Sequence, residues 1–152
     1  MSHVETVAVT FTDLVAFEAA CKRLGAEFRK NQTMFEAYNR SKCVHAVHVP
    51  GCNYELGLVQ NADKKSYSPQ LDYYSDGIKL QHMFCKRMPA GQVADWYKNY
   101  DHGDPNYTKG FEKLTDAYSV EVVKRKAYAK GMQVFESVMP DGGIKIVAQA
   151  FN

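Results

Sequence analysis

Apolar residues near the start of the chain fall on every second position. Val7, Val9 and Phe11 alternate with Ala8 and Thr10, the period of a half-buried strand. The period then lengthens: Leu14, Phe17, Cys21 and Leu24 share one helical face, Thr12 or Asp13 can cap the helix start, and Gly25 closes it. Short strands are predicted around 27–29, over 34–38, over 43–49 up to Pro50-Gly51, over 54–59 and over 67–74. Pro69 counts against the last of these, since proline fits edge strands and not central ones. Residues 77–88 carry Ile78, Leu80, Met83, Phe84 and Met88 in partly helical spacing.

The strongest pattern lies at the end of the chain. Leu114, Tyr118 and Val122 form a helical stripe that Val123 and Ala127 widen, Gly131 follows, and basic residues gather near the helix C-terminus. Val134, Phe135, Val138 and Met139 then lead into Pro140-Asp141-Gly142-Gly143, and Ile144, Ile146 and Val147 lead out, a strong hairpin signal. Everything upstream is expected to cover this stretch, residues 114–151. The sum is a single α+β domain over 1–152, mostly antiparallel sheet with helices packed on one face, ending in a helix plus β-hairpin. Residues 75–113 are its variable middle.

Composition narrows the setting. A chain of 152 residues can bury about 70% of its unfolded surface. It contains no apolar run near the ~18 residues that span a bilayer, and no basic-then-apolar leader. Cys21, Cys43, Cys52 and Cys85 are irregularly spaced, which predicts reduced thiols and a cytoplasmic location. A net charge of +2 argues against a partner bound through phosphate neutralisation along nucleic acid, and no membrane partner is expected. The ten tyrosines are the unusual feature.

Three chemistries can be weighed. Cys43, His45, His48 and Cys52, with His82 and Cys85 as further donors, suggest zinc, but alternation along a strand sends His48 to the face opposite Cys43 and His45. No metal and no cofactor is expected. Cys85 beside His82, Lys86 and Arg87 has the composition of an activated thiol, and Asp72 with Asp76 could pair as carboxylates. A core thiol beside a basic surface, and turn aspartates bonding backbone, account for them equally well. No phosphate loop, GxSxG or HExxH occurs, so no catalytic residue is assigned. The third pattern mixes rings and cations: Tyr73, Tyr74, His82, Lys86, Arg87, Trp96, Tyr97, Lys98 and Tyr100. Stacking a base on a ring is worth about 1–3 kcal/mol, and the cations suit phosphate. The same residue types also build subunit interfaces, and the two readings combine if a pocket lies between subunits. Arg29, Lys30, Arg40 and Lys42 could add charge from neighbouring loops.

The opening Met1-Ser2-His3, the run Leu56-Gly57-Leu58-Val59-Gln60-Asn61, the run Leu71-Asp72-Tyr73-Tyr74 and residues 118–151 together resemble the hypothetical chloroplast reading-frame thirty-five family. That family has plastid, cyanobacterial and phage members. The likeness covers about two-thirds of the chain, in strand and turn residues that speak to fold more than activity, and residues 75–113 depart from it. The resemblance carries over no catalytic residues. Its phage members imply a non-catalytic homo-oligomer that sequesters a small anionic ligand, most concretely a cyclic nucleotide immune signal. Its plastid members imply the alternative, an oligomeric accessory module that grips a protein partner.

Overall fold

The computed structural model describes residues 4–99 and 102–151, and of Asn99 the backbone alone. Its elements follow the chain as β1 (Val4–Thr6), α1 (Leu14–Arg23), β2 (Glu27–Lys30), β3 (Met34–Phe35), β4 (Ser41–Lys42), β5 (His45–His48), β6 (Leu56–Gln60) and β7 (Tyr67–Asp72). After these come α2 (Gly77–Phe84), a 3-10 turn (Asp95–Asn99), α3 (Glu112–Ala129), β8 (Met132–Val138) and β9 (Ile144–Ala150). Five strands form one antiparallel sheet in the order β1-β7-β6-β5-β2, with β3–β4 and β8–β9 as separate hairpins. This is the α+β architecture expected. No helix among the described residues is long and apolar enough to cross a membrane.

The alternation of the strands sorts the core into two layers. Val47, Leu56, Leu58 and Leu71 join Phe11, Phe17, Leu80, Phe84, Phe111 and Leu114 beneath the helices, each buried aliphatic or aromatic side chain contributing about 1.5–3 kcal/mol. Ala46 and Gly57 are register partners on the other face, where Phe35 covers them. A Cβ built on Gly57 would lie 2.2 Å from the Phe35 ring, so only glycine fits beneath that ring. On the helical side, Asp13 caps α1 by accepting from the Ala16 amide at 3.0 Å. The Tyr118 hydroxyl of α3 accepts the Thr12 and Asp13 amides, each at 3.0 Å, and so ties the start of one helix to the flank of the other.

Four expectations need correction. The first strand is Val4–Thr6, not 7–11, and β7 lies inside the sheet between β1 and β6. Pro69 explains both. The Val7 amide reaches the Pro69 carbonyl at 2.9 Å, but Pro69 has no N–H to return to Val7. The Val9 amide bonds the Val7 carbonyl instead, at 2.8 Å, so the chain leaves the sheet there and rejoins it at a bridge between Phe11 and Tyr67. A proline is thus tolerated in an inner strand because its neighbour is broken opposite it. The helical stripe of α3 is also narrower than expected. Leu114, Ala117 and Ala127 are buried, but Val123 is exposed. Finally, residues 114–151 are not the covered centre. The start of α3 is in the core, whereas the β8–β9 hairpin stands on its outer flank with Phe135, Val138 and Met139 exposed.

Candidate functional site

The middle segment, weakest in pattern, is organised by one buried polar side chain. Gln81 of α2 is fully buried, and its amide meets the strap formed by residues 103–108. Its nitrogen donates to the carbonyls of Asp104 and Thr108, each at 3.1 Å, and its oxygen accepts the Asp104 amide at 2.7 Å. The strap is stitched along its other side by Met88 N–H to the Asn106 carbonyl at 2.7 Å and Thr108 N–H to the Lys86 carbonyl at 2.9 Å. The Trp96 indole donates to the Tyr107 carbonyl at 2.8 Å, which fixes that ring against the strap.

The strap delivers Lys109. Its ammonium lies 4.2 Å from the Tyr73 ring centroid and 4.1 Å from that of Trp96, within cation–π range of both, and 3.2 Å from the Glu5 carboxylate. The lysine side chain is only 13% exposed. Beside this group is a cavity of about 390 Å³, lined by residues 5–8 together with Tyr73, Trp96 and Lys109. Val7 and Ala8 belong to the stretch that leaves the sheet opposite Pro69, so the interrupted strand forms one wall of the cavity.

The residues expected to form a site divide between this cavity and its surroundings. Tyr73 and Trp96 line it. Tyr97 is 49% exposed and meets Trp96 edge-on at 6.1 Å, while Tyr74 is 46% exposed and packs edge-on against Tyr38 and His102. His82 stacks on Tyr107 at 4.1 Å, bonds Asp104 at 2.7 Å, and has Arg87 on the same tyrosine ring at 5.9 Å. Lys86 and Lys98 are exposed, and Tyr100 lies outside the described residues. The sequence reading missed Lys109, Glu5, Gln81 and Tyr107. Glu5 and Lys109 are 104 positions apart, and no local pattern links them.

Burial pushes the Cys85 thiol up to about 12, the reverse of an activated nucleophile. Partial burial raises the Asp104 carboxyl, but the Asn106 amide and the His82 ring outweigh it and hold the group below its ordinary range. Asp72 accepts the Tyr74 amide two residues on at 2.9 Å, as a turn aspartate does, and Asp76 accepts the Asn53 amide of a distant loop at 2.8 Å. Cys43 and Cys52 donate to the carbonyls of Gln32 and Asp76, and His45 accepts the Asn31 amide. Among the described residues no three His, Cys, Asp or Glu side chains are grouped to hold a metal ion. A second, polar cavity of about 350 Å³ includes Arg29 and Arg40, but Glu27 and Glu55 pair the first and Glu36 the second. Lys30 and Lys42 are exposed. No protein-family model, curated protein or solved structure matches the chain.

Proposed function

We propose that this protein binds a small phosphate-bearing ligand and holds it without turning it over. A cyclic nucleotide is the most concrete candidate, and the function would then be to sequester such a signal, as the phage members of the resembling family imply. One observation supports the reading: an ammonium group held between two aromatic rings at the wall of a cavity of about 390 Å³. Small-molecule sites occupy about 300–1,000 Å³, so the cavity suits a nucleotide and not a polymer. In this reading phosphate oxygens take over from Glu5 on the Lys109 ammonium, and a base stacks on the indole or phenol rings around it. Sequestration requires affinity alone.

The same contacts favour a second reading. Tyr73, Trp96 and Glu5 already surround a cation, and a ligand ammonium could fill that box if Lys109 swung out. Equilibrium dialysis against a panel of cyclic nucleotides and of alkylammonium compounds separates the two, with heat release and mass spectrometry of whatever is retained. An unchanged nucleotide is the expected result. Linear product would reassign the protein to hydrolysis, retention of ammonium compounds alone would favour the second reading, and retention of nothing would reject both.

A further inference from the structure

The β8–β9 hairpin is the least protected part of the fold. It is a two-stranded sheet, and a lone hairpin is marginal in water without a third strand or a packed face. Glu136 on one face reaches Arg23 of α1 at 2.5 Å and Lys124 of α3 at 3.5 Å, so that face is turned to the helices. Phe135 and Val147 are register partners on the opposite face, and Phe135 is 52% exposed. Natural edge strands are blunted by prolines, bulges, several charges or short length. β9, with the sequence Ile-Lys-Ile-Val-Ala-Gln-Ala, has seven paired residues, one lysine and no proline.

The outward edge of β9 can be read from the turn. The Met139 amide donates to the Gly143 carbonyl at 2.7 Å, which makes that pair hydrogen-bonded, and antiparallel ladders alternate from there. Phe135 and Val147 therefore exchange bonds within the hairpin. Ile144, Ile146, Ala148 and Ala150 turn their N–H and C=O groups outward, away from β8.

We propose that a second copy of this chain pairs with that edge, β9 against β9 in antiparallel register, with the two-fold axis at Val147. This interface does not depend on the ligand reading, and it differs from the aromatic segment that the sequence suggested for oligomer contacts. Self-complementarity selects the second copy. In this register Ile146 faces Ala148 of the partner subunit and Ile144 faces Ala150 of the partner subunit, so each outward backbone group meets its complement. Lys145 faces Gln149 of the partner subunit, and no like charges stand opposite. On the outer face Phe135 and Val147 of both copies form one unbroken apolar row, flanked by Gln133, Ser137, Lys145 and Gln149. The result is a four-stranded sheet in place of two separate hairpins.

Two variants test it. Val147→Lys sets two cations against each other on the axis, at a position already partly exposed, so far-UV circular dichroism should match wild type. Light scattering should give twice the chain mass of 17.2 kDa for wild type at tens of micromolar and the chain mass for Val147→Lys. Val147→Cys should cross-link to its symmetry mate under mild oxidation, because non-hydrogen-bonded partners bring Cβ atoms to about 4.5–5.5 Å. The four native cysteines are buried and stay silent. Ser137→Cys, on the outer strand of the four, should not cross-link, since three strand spacings of about 4.8 Å separate the two β8 strands. A monomeric wild type, a dimer that survives Val147→Lys, or equal cross-linking at positions 137 and 147 would each overturn the proposal.

Discussion

Replacing Gln81 with methionine keeps the length of the side chain and deletes its amide. In the native fold that amide accepts the Asp104 N–H at 2.7 Å and donates to the carbonyls of Asp104 and Thr108 at 3.1 Å, all in a fully buried setting. The unpaired Asp104 N–H would cost about 1–3 kcal/mol, and with two weakened carbonyls the total comes to roughly 2–4 kcal/mol. Little of this should reach the sheet, because α2 also carries Leu80 and Phe84 in the core and their packing is unchanged. The strap should therefore open locally. Amide exchange at Asp104 and Thr108 should accelerate roughly thirty- to several-hundred-fold, at about 1.4 kcal/mol per factor of ten, while β5 to β7 keep their protection. Trp96 is the sole tryptophan, so its emission reports directly on loss of the Tyr107 carbonyl contact. Unchanged exchange at Asp104 and Thr108 would refute the claim that Gln81 holds the strap. Equal acceleration across the sheet would refute the claim that the strap opens alone.

Further predictions follow from other contacts. Tyr118→Phe leaves the Thr12 and Asp13 amides without their acceptor and should cost about 1–2 kcal/mol, read as a lowered midpoint in chemical denaturation. Gly57→Ala should cost about 1–3 kcal/mol through its clash with Phe35, and Phe35→Leu in the same chain should recover part of that loss in a double-mutant cycle. Acid sensitivity has a definite sign. Asp13, Asp104 and Glu136 are each raised somewhat by burial but pulled further down, by the Ala16 amide and Arg125, by the Asn106 amide and His82, and by Arg23 and Lys124. Depressed folded values mean stability that is complete above the ordinary 3.8 of aspartate and 4.5 of glutamate and is lost as pH falls through the lower folded values. Asp104→Asn should flatten that acid limb in a pH series of melting curves.

The parts of this fold that were legible depend on near neighbours in sequence. The Asp13 cap, the end of α3 at Gly131 and the hairpin around Gly142 each follow from residues within a turn of one another. Pro69 pointed away from a central strand, yet β7 lies inside the sheet and the break falls on the strand beside it, which depends on which strand is the neighbour. Phe111 was not legible at all. It starts α3 with φ of 59°, a left-handed conformation that costs a bulky residue about 1–3 kcal/mol, and burial against Phe84 holds it there. The candidate site was half legible. Tyr73 and Trp96 were visible as rings in a mixed segment, whereas the cation between them comes from Lys109 and its carboxylate from Glu5, a pairing set by tertiary structure. The exposed cations named with them, Lys86 and Lys98, followed composition and remain on the surface.

The most direct test is a calorimetric titration of wild type, Lys109→Met and Lys109→Arg with whichever cyclic nucleotide dialysis retains. Methionine keeps the length of the lysine stem between the two rings and removes its charge. Losing a buried charge-assisted contact of about 1.5–3 kcal/mol should weaken binding by roughly ten- to more than a hundred-fold, and arginine should restore most of it. Undiminished affinity in Lys109→Met would contradict the account, since the ammonium between Tyr73 and Trp96 would then have no part in holding the ligand.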